Sequence, residues 1–144
     1  MDKVILEFLE KNRVSVLTTL LVDGTPHGAT LHYSFKTDPL ELYFSVDKTD
    51  RKCQALAQSN EGKAAVVIGF SEQEWLTLQI DGKIKIVEDK DKIKEIKTIH
   101  YKRHPNSQKF ENDPNTVFLV FQPTWLRYTD FNVEPPKIKL VENP

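Results

Sequence analysis

The chain has 144 residues, of which 39% are hydrophobic and 28% are charged, and its formal net charge is −1. This length and composition are typical of a single globular domain that can bury a sizeable core. A net charge so close to zero argues against nucleic acid as the main partner, because such binding needs a basic surface.

No apolar run is long enough for a membrane span, and the N-terminus has no signal-peptide pattern. The only cysteine, Cys53, cannot form an internal disulfide, so the sequence implies no oxidising compartment. From these features we expect a cytoplasmic protein that binds neither membranes nor nucleic acid.

The first part of the chain predicts one helix and three strands. "DKVILEFLEKN" has the spacing of a short amphipathic helix. "VSVLTTLLVDGTPHGATLHYSF" holds two β-branched runs that meet at Asp23-Gly24, which predicts a hairpin whose type I′ turn has a positive φ at both residues. "LELYFSV" predicts a third strand after the turn in "KTDPL".

The middle of the chain alternates between predicted helices and strands. Residues 50–59 predict a helix, because Cys53, Leu56 and Ala57 have helical spacing. "KAAVVIGF" predicts a fourth strand, and "WLTLQIDGKIKIVE" predicts either one long strand or a pair broken near Asp81-Gly82. "DKDKIKEIKTIHYKRH" predicts a mostly exposed helix with a narrow stripe of isoleucines.

The last part, "NTVFLVFQPTWLRYTDF", predicts two strands bent at Gln122-Pro123, and the tail 132–144 predicts at most a weakly ordered edge strand. Several strands form hairpins, so the sheet should be largely antiparallel, and small sheets of this kind remove open edges by closing into a barrel. We therefore predict one mainly β, barrel-like domain over residues 1–144, with its core at about 4–131.

The segment "SVDKTDRK", from Ser45 to Lys52, lies where the third strand meets the predicted helix. A helix start has unpaired N–H groups and the positive end of the helix dipole, and Thr49, Arg51 and Lys52 would add a hydroxyl and two cations. This set suits a phosphate. The alternative, which the local sequence favours, is that Thr49 or Asp47 caps the helix while the cations lie in water.

The four histidines predict no metal site. His100 and His104 are four residues apart on a predicted helix, but no third ligand is indicated, so we expect a solvated helix end. His27 and His32 have an odd spacing in one strand and therefore face opposite sides of the sheet. Cys53 is expected to pack as a small apolar residue.

Two tryptophans lie in the predicted late strands. Trp75 and the run "PTWLRY" place two aromatic side chains and Arg127 there. These aromatic residues either close the barrel ends or a subunit interface, or flank a planar ligand. No Ser-His-Asp order and no paired carboxylates stand out, so the sequence identifies no catalytic residue.

Taken together, these segments resemble the pyridoxamine 5′-phosphate oxidase-like family of FMN-binding split barrels. The resemblance covers roughly residues 4–131 and rests on the order of elements and on three segments, "VDGTPHGATLHYSF", "ELYFSVDKTDRKCQALAQSN" and "IDGKIKIVEDKDKIKEI". It implies a six-stranded antiparallel split barrel with flanking helices. It also implies a homodimer with two cofactors at the interface.

The resemblance implies which residues bind the cofactor. In this family the second strand lies under the isoalloxazine ring, the end of the third strand and its turn hold the phosphate, the fifth strand adds a polar contact, and the partner subunit closes the site. The second strand corresponds to Ala29, Thr30, Leu31 and His32, and the phosphate-binding strand end and turn correspond to Ser45, Thr49, Arg51 and Lys52. Thr77 matches the polar contact of the fifth strand less closely, and Trp125 and Arg127 match the residues that the partner subunit supplies.

The sequence departs from the pyridoxamine 5′-phosphate oxidases themselves at informative positions. Those enzymes carry an Arg and a Lys in the second strand for the flavin phosphate, where this chain has Ala29 and Ser34. Their late strand has an Arg-x-His pair for the substrate, where this chain keeps Arg127 but has Thr129. These differences argue against oxidation of vitamin B6 and place the chain nearer the small, little-characterised members of the superfamily.

The sequence thus predicts an FMN-dependent oxidoreductase that acts on an unidentified small molecule. The alternatives are a split barrel that binds the deazaflavin F420, a haem protein with His32 or His100 as the axial ligand, and a cofactor-free dimeric scaffold or sensor. FMN and F420 both present a phosphate and a tricyclic ring, so the sequence does not separate them.

Overall fold

The computed structural model describes all residues, 1–144. It contains two α-helices, two short 3₁₀ segments (Arg51–Cys53 and Pro105–Phe110) and eight strands. The helices are α1 (Lys3–Lys11) and α2 (Lys90–Arg103), and the strands are β1 (Val14–Leu20), β2 (Pro26–His32), β3 (Ser34–Lys36), β4 (Glu41–Asp47), β5 (Glu61–Ile68), β6 (Leu76–Ile86), β7 (Thr116–Asp130) and β8 (Lys137–Glu142).

All eight strands belong to one curled antiparallel sheet. Its order is β2-β1-β5-β6-β7-β4-β3, and β8 pairs with β7. The two ends of this path, β2 and β3, are joined in the chain by the single residue Tyr33, so the sheet must bend back on itself. The predicted mainly β split-barrel fold is confirmed. The sheet has eight strands instead of six, because β3 and β8 extend it.

The hydrophobic core lies inside the curled sheet, and α1 covers it. Ile5, Phe8 and Leu9 of α1 are buried, and the Phe8 ring contacts Tyr128 of β7 edge-on, with 5.5 Å between ring centroids. A second, smaller cluster packs α2 against the opposite face of β4 and β7, through Tyr43 and Phe118. This double burial explains the nearly continuous apolar run of β4.

The structure decides between the two alternatives for β6 and corrects the predicted division of β7. β6 runs through Asp81 and Gly82, and β7 runs through Pro123, with a bulge that leaves Thr124 as the extra residue. A Cβ at residue 82 would lie 2.4 Å from the carbonyl oxygen of Gln122, so only glycine fits there. Proline is tolerated at such an irregular position because the bulge already interrupts the ladder.

The turn of the first hairpin also differs from the prediction. Leu21 donates a backbone hydrogen bond to the carbonyl of Thr25 (2.8 Å), which closes a loop longer than a two-residue turn. Only Gly24 has a positive φ, +84°, so the predicted type I′ turn is wrong.

The predicted helix at residues 50–59 is wrong as well. Only Arg51–Cys53 forms a 3₁₀ turn, which is followed by irregular turns. The hydroxyl of Thr19 in β1 donates to the carbonyl of Lys52 (3.0 Å), an acceptor that a continuous helix would use internally. Packing against β1 therefore outweighs the local helical spacing, and "SVDKTDRK" does not precede a helix dipole.

Tyr33 and Arg103 join both helices to the seam of the sheet. The buried Tyr33 hydroxyl contacts the carbonyls of Leu9 and Asn12 at the end of α1, each at 2.8 Å. The Arg103 guanidinium at the end of α2 donates to the same two carbonyls. Its charge lies 5.3 Å from the centre of the Tyr33 ring. The last carbonyls of α1 are thus satisfied by tertiary contacts.

We expect Tyr33→Phe to lower the free energy of unfolding by about 1–2 kcal/mol, because buried carbonyl acceptors lose their hydroxyl donor. Urea unfolding followed by circular dichroism measures the difference. Tyr101→Phe is the matched control, since the Tyr101 hydroxyl is buried without a hydrogen-bond partner, and its removal should cost less than 0.5 kcal/mol, roughly. Equal losses in the two variants would contradict this role of Tyr33.

Candidate functional site

The residues that the sequence predicts for a cofactor lie on two faces of the sheet. In β2, Leu31 packs against the core, and Ala29 pairs with the buried Leu17 of β1. Thr30 and His32, which alternate with them, are exposed on the outer face. The side chains of the second strand therefore cannot all approach one ligand.

One cleft brings together predicted residues from three segments. It has a volume of about 240 Å³ and is lined by Leu31, Ser45 and Lys52, and also by Asp47 and Asp50. Further lining residues are Val46, Phe110, Asp113 and Thr116. Leu31 comes from β2, Ser45 from β4 and Lys52 from the 3₁₀ turn. Ala29, Thr30 and His32 do not line it.

Side chains within "SVDKTDRK" are already engaged with one another. The Lys52 ammonium contacts Asp50 Oδ2 at 2.7 Å and has only 11% of its side chain exposed. Thr49 donates its hydroxyl (2.7 Å) and its backbone N–H (2.8 Å) to Asp47 Oδ1. These two hydrogen bonds hold the pKa of Asp47 below its usual value. Arg51 is exposed and belongs to no salt bridge.

The predicted roles in this segment change accordingly. Asp47 caps the turn, as the alternative interpretation held, although it caps an Asx turn and no helix. The Thr49 hydroxyl is a donor to Asp47, so it is not free for a ligand. The Ser45 hydroxyl, the Lys52 ammonium and the apolar Leu31 wall fit the phosphate end of a nucleotide, and the neighbouring carboxylates weaken that fit.

The outer face of the sheet carries the remaining predicted residues. One row across five strand pairs joins Thr30, Val16, Val67, Gln79, Arg127 and Leu140. Thr30 and Arg127 are four strand spacings apart, about 19 Å measured along the curled sheet, and their side chains point outward from different parts of the curl. Trp125 and Thr77 lie on the same face as Arg127. Within one chain, Arg127 therefore cannot reach a ligand that lies on Thr30.

Trp75 lies at one end of the β6–β7 pair, and Trp125 lies near its middle. Trp75 directly precedes Leu76, which pairs with Asp130, whereas Trp125 pairs with Asp81. The five intervening residues span about 17 Å. Trp75 and Trp125 of one chain therefore cannot flank the same planar ring.

The predicted solvated end of α2 is wrong, because His100 and His104 are only 1% and 4% exposed. His100 Nδ1 lies 2.8 Å from the Ser34 hydroxyl, and His104 Nε2 lies 2.6 Å from the Tyr33 carbonyl oxygen. These histidines continue the stripe of Ile93 and Ile96 at helical spacing. The helical spacing of these residues was visible in the sequence, but the many charged residues between them favoured an exposed helix.

Burial determines the protonation of both histidines. It lowers the pKa of His100 to about 4, and the neighbouring His104 and His32 add to the shift. The pKa of His104 is lowered mainly by burial, and the Tyr33 carbonyl partly opposes this. The His32 and His104 rings are 5.0 Å apart, but no group of three or more possible ligands is arranged to hold a metal ion.

An ionic network that the sequence did not predict holds α2 against β4. Glu41 is 8% exposed, and its carboxylate accepts from Lys92 (2.7 Å) and from the Tyr43 hydroxyl (2.8 Å). Burial by itself would raise the pKa of Glu41, but the hydrogen bonds from Lys92 and Tyr43 outweigh it and lower the pKa. The network is structural, since its carboxylate is neutralised within the chain.

A family model described as pyridoxamine 5′-phosphate oxidase matches residues 1–130. The chain belongs to this family. None of the curated proteins matches the sequence.

No helix combines the length and the apolar character that a membrane crossing requires.

Solved structures share the fold of this family member at low sequence identity. The haem-binding protein from Mycobacterium smegmatis has a TM-score of 0.76 and 14% identity over 94% of this chain, which spans only 55% of that protein. HutZ, the haem storage protein from Vibrio cholerae, has a TM-score of 0.71 and 14% identity, covering 85% of this chain and 89% of HutZ. General stress protein 26 from Bacillus anthracis has a TM-score of 0.67 and 22% identity, covering 96% and 95%. Such identities show the common fold alone.

The buried histidines predict a pH-dependent stability. An unfolded chain protonates His100 near pH 6.5, whereas the folded chain does so only near pH 4. The unfolded state therefore binds more protons in this interval, so the stabilisation is complete above pH 6.5 and is lost as the pH falls toward 4. From His100 alone, the free energy of unfolding should fall by about 2 kcal/mol between pH 7 and pH 5.

Urea unfolding measured at several pH values between roughly 7.5 and 5 gives the free energy of unfolding as a function of pH. Most carboxylates titrate below this range, so they contribute little to the difference. His100→Asn keeps an amide nitrogen near the Nδ1 position and should flatten the pH dependence. His27→Asn, in the half-exposed start of β2, should leave it unchanged. An unaltered slope in His100→Asn would show that His100 does not cause the effect.

Proposed function

We propose that this family member binds FMN and acts as an oxidoreductase on a small-molecule substrate. The observation that carries the proposal is the cleft in which Leu31, Ser45 and Lys52 meet. Leu31 was predicted as a cofactor residue from the second strand, and Ser45 and Lys52 were predicted together from "SVDKTDRK". The cleft that they line lies at the ends of β2 and β4. Membership of the family supports the same cofactor.

The chain supplies binding and orientation at this cleft. Lys52 provides charge for the phosphate, Ser45 provides a hydroxyl donor, and Leu31 provides an apolar wall, whereas Thr49 and Arg51 do not line the cleft. β2 ends the strand path and pairs only with β1 in that path, so its other edge offers free backbone groups at Ala29–His32 to a polar ring edge. When bound, the flavin would supply the electron-transfer chemistry.

We also propose that two copies form the complete site. A volume of 240 Å³ is below the range of about 300–1,000 Å³ usual for whole ligands, which supports a site that a second chain completes. Trp125 and Arg127 lie on the outer face of β7, four strands along the curled sheet from β2, so the proposal assigns them to the site of the partner subunit. The exposed apolar residues Val67 and Leu140 lie in the same row as Arg127 and suit a dimer interface.

A comparison of FMN with riboflavin, which lacks the phosphate, tests the role of Lys52. Lys52→Gln should weaken FMN binding about 10- to 100-fold, the expected loss for a charge-assisted hydrogen bond, and should leave riboflavin binding unchanged. Asp50→Asn should strengthen FMN binding, because it releases Lys52 and removes a negative charge. Fluorescence titration of the flavin measures both affinities.

Lys48→Gln is the matched control, since Lys48 is exposed and does not line the cleft. It should change FMN affinity less than threefold, roughly, as a screened surface charge does. Equal effects of Lys52→Gln on FMN and on riboflavin would remove Lys52 from the phosphate site. Failure of the unaltered protein to bind FMN would overturn the cofactor assignment itself.

The proposed interface makes its own prediction. Leu140 of β8 is 62% exposed, so Leu140→Glu would place a charge in an apolar interface without disturbing the core. We expect it to raise the dimer dissociation constant at least tenfold, roughly, and to weaken FMN binding in parallel. Val22→Glu, in the equally accessible hairpin turn (55% exposed), should do neither.

Sedimentation velocity measures the dimerisation, and the same samples serve for the flavin titration. A Leu140→Glu protein that stays dimeric would place the interface elsewhere. A monomeric unaltered protein that binds FMN with full affinity would refute a shared site.

Haem is the second candidate ligand, because two proteins of the same fold are described as haem-binding and haem storage proteins. The exposed His32 is the axial ligand available on the outer face, whereas His100 is 1% exposed and bonded to Ser34. An absorbance spectrum distinguishes the cofactors, since haem gives a Soret band and FMN gives flavin bands. Loss of the Soret band in His32→Ala would establish the haem ligand.

A further inference from the structure

A second cavity lies away from the cofactor cleft, where the loop before β6 meets the turn after β7. It has a volume of about 240 Å³ and is lined by Phe70, Trp75 and Phe131, together with Glu72 and Thr77. The three aromatic side chains remain 58%, 54% and 47% exposed, in that order. Soluble proteins seldom leave three neighbouring aromatic rings in water without a use for them.

The backbone holds these rings in place. Phe131 donates its N–H to the Trp75 carbonyl (2.9 Å), and the Asn132 side chain donates to the Glu74 carbonyl (2.8 Å). The loop is also tied internally, since the Ser71 carbonyl accepts from the Trp75 N–H (3.1 Å). A cavity with a wall fixed in this way loses little entropy when it binds a ligand.

Two residues of the loop have unusual backbone conformations. Gly69 has φ +102°, and a Cβ there would lie 2.3 Å from the carbonyl oxygen of Leu76. Trp75 has φ +53°, which is rare for a bulky side chain. Backbone strain of this kind is often found at binding sites, where it positions a particular side chain.

The charges at the cavity select the kind of ligand. Glu72 is its only charged lining residue, and no lysine or arginine lines it. The faces of aromatic rings are electron-rich and attract cations, which the carboxylate would also attract. An anion would find no positively charged partner there.

We propose that the cavity of Phe70, Trp75 and Phe131 binds a small organic cation of the alkylammonium class, with Glu72 as its counter-ion. The aromatic faces contact the apolar substituents around the nitrogen, and the carboxylate neutralises the charge. The two cavities share no lining residue, and Thr77, which the resemblance gave as a cofactor contact, lines the aromatic cavity and not the cofactor cleft.

Calorimetric titration of the full chain with choline and with its neutral isostere, 3,3-dimethylbutan-1-ol, tests the proposal. We expect choline to bind with a dissociation constant on the order of 1 mM and the isostere at least tenfold more weakly. Choline should also change the tryptophan fluorescence, and this change should be lost in Trp75→Leu and kept in Trp125→Phe.

Two further variants separate the cavity from general surface effects. Phe131→Leu and Glu72→Gln should each weaken choline binding at least threefold, roughly, whereas Phe110→Leu, which removes an aromatic ring of 50% exposure elsewhere, should not. Equal binding of choline and the isostere would overturn the cationic assignment. Absence of choline binding would overturn the site, and dissociation of a dimer by Phe131→Leu would then assign these rings to a second copy of the chain.

Discussion

The curl of the sheet is imposed at Tyr33. This residue joins β2 and β3, which are the two ends of the strand path, so the sheet must bend until these ends meet. Tyr33 is fully buried at that bend, and its hydroxyl and carbonyl bind the ends of α1 and α2. The position of both helices therefore depends on the same residue that bends the sheet.

The curl separates the candidate site into two parts. A curled sheet has an inner face filled by the core and an outer face open to water or to a partner, and successive residues of a strand alternate between them. Leu31 is consequently directed toward the cleft, while Thr30 and Arg127 lie on the outer face, four strand spacings apart along the curl. The residues that the sequence predicted for one cofactor site therefore lie on different faces of a single chain.

The positive charge of Lys52 in the cleft is opposed by neighbouring carboxylates. Lys52 is almost buried and paired with Asp50, and Asp47 is held ionised by Thr49. A phosphate would compete with these carboxylates for Lys52, so the affinity depends on the difference between two charge-assisted contacts. His100 illustrates the opposite case, in which burial and the neighbouring His104 lower the pKa and so suppress the charge.

The sequence by itself determined the strand pattern, the antiparallel fold and the family, because alternation, turns and segment order are local signals. It also predicted Leu31, Ser45 and Lys52 as cofactor residues, and the structure shows that these three line one cleft. Only the tertiary structure decided that residues 50–59 form no helix, that His100 is buried and that Lys52 is paired with Asp50. These features depend on contacts between distant segments, such as Thr19 with the carbonyl of Lys52, and such contacts leave no periodic trace in the sequence.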